Sequence, residues 1–173
     1  MSRQIIINIL RFIILLLVQV LILNKVNLGG YLNPYVYILF ILLLPFETPA
    51  WLLLLSSFLM GLSVDIFSGS IGMHAAASTF VAFLRPSVSR MIYSKREYEP
   101  GIKPGVNDLG LRWFISYTGI LVFAHHLVFF FLEVFRFEEL FSTIVRIILS
   151  TLLSTLLIVL LDVLTKKEKK RIN

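Results

Sequence analysis

Ionisable side chains interrupt otherwise apolar stretches of this chain, among them Asp65, His74, His125, His126 and Arg146. In hydrocarbon such groups are expensive, so they persist when they have a partner and a role. Asp65 and Arg146 carry opposite charges and are expected to form an intramembrane ion pair. An unpaired charge at that depth costs at least about 2.5–3.5 kcal/mol, and a guanidinium–carboxylate contact offsets much of it. Ser57, Gly61 and Asp65 fall on one helix face, and Ser142, Arg146, Ser150 and Ser154 repeat the spacing further on. Two small-and-polar stripes of opposite charge therefore suit face-to-face packing. The pair serves either as a strut that fixes helix register or as part of a site for a ligand or a partner helix, with Gly69, Gly72 and His74 beside it.

Chemistry beyond binding has little to work with. His125 and His126 are adjacent, so on a helix they point about 100° apart, whereas joint metal ligands want one face. Gly69-Ser70-x-Gly72 superficially suggests a nucleophile turn, but no Gly-x-Ser-x-Gly arrangement is present. There is no phosphate-binding loop, dinucleotide fingerprint or metal-spaced cluster. No catalytic residue, metal or cofactor is expected. The absence of cysteine excludes disulfides and thiolate sites.

The elements that must position these residues are membrane helices. Of 173 residues, 58% are hydrophobic and 15% charged, and the mean hydropathy is +0.90. A soluble domain of this size has no interior large enough for that much apolar surface. The sequence predicts an all-α polytopic bundle of six transmembrane helices, over about 5–23, 32–46, 50–67, 71–88, 113–135 and 140–161. The second run is short and closed by Pro45, so it either spans or is re-entrant. Asn8, Arg11 and Gln19 interrupt the first span; Arg11 either snorkels to the headgroups or joins the other two in an inward stripe. The fourth run is rich in small residues (Ala75, Ala76, Ala77, Ser78, Ala82) that let helices approach closely.

The sequence pI near 9.8 reflects topology rather than nucleic-acid binding. With both termini cytoplasmic, twelve of the Lys and Arg residues fall in inside segments, chiefly the 85–112 loop and the basic tail 166–173, and two fall outside. That basic surface attracts anionic lipid.

The run Gly61-x3-Asp65-x3-Gly69-x2-Gly72-x-His74-Ala75 resembles the rod shape-determining protein MreD family. Its members carry a similar glycine–aspartate–glycine run followed by Gly-x-His-Ala in a small polytopic protein. The resemblance implies a non-enzymatic component of the bacterial cytoplasmic membrane that helps couple peptidoglycan synthesis to the cytoskeleton. Its implied partners are MreC, a bitopic protein, with MreB, the actin-like filament, RodA, the glycan polymerase, and the elongation transpeptidase. The implied architecture is similar to that of substrate-binding subunits of energy-coupling-factor transporters. The 85–112 loop is longer than the family pattern. The alternative is a membrane subunit of a small-solute, vitamin-like transporter, with Asp65, His74 and Arg146 lining a cavity.

Overall fold

Within a bilayer each backbone amide must be satisfied without water, and a continuous helix does this inside its own segment. The computed structural model describes residues 2–26, 32–70, 72–93, 101–134 and 140–165. Expectations for the basic tail 166–173, for Lys95 and Arg96, and for the turn of Arg136, Glu138 and Glu139 lie outside these residues. The described chain is all-helical apart from loops and one extended segment. Its helices are α1 (Ser2–Leu21), α2 (Ile38–Leu42), α3 (Ala50–Ser68), α4 (Met73–Ile92), α5 (Val106–Leu109), α6 (Leu111–Val134) and α7 (Leu140–Leu164). A 3-10 turn at Leu23–Lys25 prolongs α1.

Among the described residues, four segments are long and apolar enough to cross a membrane: Arg3–Lys25, Ala50–Ser68, Leu111–Val134 and Leu140–Leu164. At about 1.5 Å per residue, each matches or exceeds the roughly 30 Å hydrocarbon core. The chain is thus a multi-pass membrane protein. Helix α4 is of similar length but carries His74, Arg85, Pro86 and Arg90, and it falls outside that apolar set. It is the central helix instead, packed between α3 and α6, while α7 lies on α6 and α1 lies on α3. The outer faces of α1 and α7 are apolar and open, as at Ile6, Ile14, Leu152 and Leu156.

The expected second span takes another form. Residues 33–36 are extended, and only Ile38–Leu42 is helical. From Tyr35 to Leu42 every side chain is 8% exposed or less. Pro34 lacks an N–H and biases Asn33 away from helix. Other parts of the chain supply the missing backbone partners. Asn33 N–H donates to Ser150 Oγ (3.0 Å) and Tyr35 N–H to Ser154 Oγ (2.9 Å). Val36 N–H donates to Gln19 Oε1 (2.9 Å), and Gln19 Nε2 donates to Pro34 O (3.0 Å). Irregular backbone at membrane depth is tolerated when buried and paired in this way.

The far end of α2 is held by cations, which suit the negative end of a helix. Arg85 donates to Tyr117 Oη (2.7 Å) and to the carbonyls of Leu42 and Leu44. Arg11 Nη1 donates to Leu43 O (3.1 Å). Two expectations resolve here. Arg85, counted with the basic loop, is buried inside the bundle at 3% exposure. The Asn8–Arg11–Gln19 stripe faces inward, with Gln19 fully buried and Arg11 anchored on α2 rather than snorkelling.

Candidate functional site

Of the residues singled out in the sequence, Gly61, Asp65, Gly69, Gly72 and His74 gather at the α3–α4 turn. Gly61 lies against the start of α4: a Cβ there would sit 2.4 Å from His74 O and 2.6 Å from Ala75 Cα. Only glycine lets the two backbones meet at that point. Gly69 and Gly72 have φ of 69° and 73°, so the link between the helices needs residues that enter the left-handed region freely. Asp65, 2% exposed, then turns back onto the first turn of α4. Its carboxylate accepts from His74 N–H (3.1 Å), Ala75 N–H (2.9 Å) and Ser70 Oγ (2.6 Å). Those amides are orphan donors at a positive helix end, where a carboxylate is favoured.

This geometry corrects the expected Asp65–Arg146 pair. Asp65 is satisfied by α4 itself. Arg146 Nη2 pairs with Glu133 Oε2 (3.2 Å) on α6, and its guanidinium lies 4.7 Å from the Phe130 ring centroid. The stripes do not form a facing couple either. The α3 stripe packs on α4, and the α7 stripe serves the extended segment through Ser150 and Ser154. Ser57 donates to Leu53 O (2.7 Å) within α3. These small and polar residues therefore pack the chain's own interior.

Behind the turn lies a buried hydrogen-bonded chain. Tyr37 Oη, fully buried, is 3.0 Å from His74 Nδ1 and 2.6 Å from His125 Nε2, and accepts from Ser78 Oγ (3.4 Å). Tyr35 packs among the same rings, with its centroid 4.9 Å from His74, 5.3 Å from His126 and 5.0 Å from Phe129. His126 Nδ1–H donates to Val122 O (2.8 Å), which leaves Nε2 to accept from Ser154 Oγ (3.4 Å). The two adjacent histidines thus serve different partners, His125 toward Tyr37 and His126 toward α7. Tyr35 and Tyr37 are not among the residues that the sequence singles out. The usable signal was their position just after Asn33-Pro34, where the backbone cannot continue as helix.

The turn and the extended segment frame a pocket of about 540 Å³. Its walls include Asn24, Lys25, Tyr35, His74, Phe129 and Glu133. Arg146 is outside this set and reaches the pocket only through Glu133. The arrangement can bind and orient; no nucleophile with a base and an oxyanion cradle is assembled among these residues. Compared with protein-family models, curated proteins and solved structures, the chain matches none.

Proposed function

We propose that the chain is a non-enzymatic component of the bacterial wall-elongation machinery of the MreD kind, binding an MreC-type bitopic partner in the cytoplasmic membrane. The observation that carries this reading is the coherence of the resembling run. Gly61, Asp65, Gly69, Gly72, His74 and Ala75 act as one unit: close contact, helix cap, turn and entry to α4. A fold held together from inside leaves the apolar outer faces of α1 and α7 open for a partner's helix. Through that partner, and with MreB, RodA and the elongation transpeptidase, it would link wall synthesis to the cytoskeleton. Both termini lie in the cytoplasm in this reading, with the pocket toward the outer face.

The test is purification of the tagged full chain from native membranes with identification of co-eluting proteins. Enrichment of an MreC-type protein, lost when Leu152 and Leu156 on α7 are replaced by Ser, is expected. Isolation without wall-elongation components would overturn the reading.

One observation favours a second reading, capture of a small solute. The pocket of about 540 Å³ lies within the roughly 300–1,000 Å³ range of ligand sites and combines aromatic walls with a few polar groups.

A further inference from the structure

The pocket's polar residues divide into those already engaged and those that are not. Asn24 donates to Ser68 Oγ (2.8 Å) and accepts from Gln19 Nε2 (2.8 Å). Ser70 donates to Asp65, and Glu133 is engaged by Arg146. Four polar groups on the walls have no hydrogen-bond partner among the described residues: the Lys25 ammonium, the Asn33 side-chain amide, the Tyr35 hydroxyl and His74 Nε2. His74 is only 3% exposed and lines this pocket, with Nε2 as its unpaired ring nitrogen.

The chain behind His74 determines what that nitrogen presents. His125 Nδ1 is buried with no partner. A buried N–H without an acceptor is rarer and costlier than an under-used acceptor, so His125 Nδ1 is the bare nitrogen and Nε2 carries the proton. His125 Nε2–H then donates to Tyr37 Oη, and the Tyr37 hydroxyl donates to His74 Nδ1. His74 is left with its proton on Nε2, directed at the pocket. All four uncommitted groups can therefore donate a hydrogen bond, one of them cationic, and the pocket's carboxylate is already paired with Arg146. Tyr35 and Phe129 add aromatic walls.

We propose that this pocket binds a small organic anion, a carboxylate on a flat aromatic body. The carboxylate meets His74 Nε2 and Lys25, and the ring lies against Tyr35 and Phe129. The proposal deepens the second reading above, on which it rests, and is independent of any role in wall elongation.

The test measures binding of radiolabelled benzoate, by equilibrium dialysis, to the full chain in phosphatidylcholine nanodiscs. Saturable binding of benzoate is expected, and benzamide, its neutral isostere, is expected not to compete. Lys25→Met should raise the benzoate concentration needed about tenfold, the loss of one charge-assisted contact. Competition by benzamide as strong as by unlabelled benzoate would show a pocket that takes a flat ring without using its charge, overturning the ligand class alone. Saturable binding of neither, in protein with an unaltered unfolding midpoint, would remove the pocket as a solute site, and the second reading with it. Retention of phosphatidylglycerol that is lost in Lys25→Met, with no benzoate binding, would assign the site to lipid and overturn the proposal.

Discussion

At the scale of single residues, the two charges expected to meet each found a nearer solution. Asp65 lies nine residues before the first amide it caps, and a carboxylate can accept from a backbone N–H without importing a second charge. Asp65→Asn halves the acceptor oxygens and sets an amide NH₂ against backbone donors. It should cost about 1–3 kcal/mol, seen as a lower unfolding midpoint in detergent. Exchanging the charges, Asp65→Arg with Arg146→Asp, should give no recovery over the single variants, since neither residue is the other's partner. Arg146→Gln should cost under about 1 kcal/mol, because its pair with Glu133 is partly exposed. Arg85 differs in kind. It is a buried cation held by two carbonyls and a phenol, a planar fork that lysine does not reproduce. Arg85→Met should cost about 1.5–3 kcal/mol in the same measurement, with Arg85→Lys recovering only part.

Elements were legible where the physics is local. Helices α3, α6 and α7 follow directly from long apolar runs, and the glycine run between α3 and α4 announced a tight link. The partner of Asp65 was not legible, because a side chain reaching back onto the next helix leaves no periodic signature. The 32–46 stretch was legible only as an uncertainty: its shortness and Pro45 left it either spanning or re-entrant, while its form depended on Gln19, Ser150, Ser154 and Arg85 from other helices. Gln19→Leu removes the acceptor of Val36 N–H and the donor to Pro34 O. Faster hydrogen exchange at Val36 and Tyr37, with α6 amides unchanged, is the expected result. Gly61→Ala places a methyl into the α4 backbone and should cost about 1–3 kcal/mol. Gly119→Ala, where a Cβ meets nothing within 4 Å, should change stability little.

For the whole molecule, the proposed orientation makes a direct demand. The chain has no cysteine, so one introduced thiol reports one location. Under the proposal, Lys25→Cys at the pocket end should react with an impermeant maleimide in intact cells. Lys103→Cys should react only after lysis; its neighbour Gly101 bonds to Glu47, beyond the end of α2. The reverse pattern would invert the assigned topology.

The extended segment also sets an order on biosynthesis. The amides of Asn33 and Tyr35 wait for hydroxyls made 117 and 119 residues later. A nascent chain stalled before Ser150 therefore holds unpaired backbone donors at membrane depth, and α7 completes a segment that left the ribosome near the start of synthesis. Chains truncated after Val134 should be degraded rapidly in the cell, and supplying residues 135–173 as a separate polypeptide should prolong their lifetime.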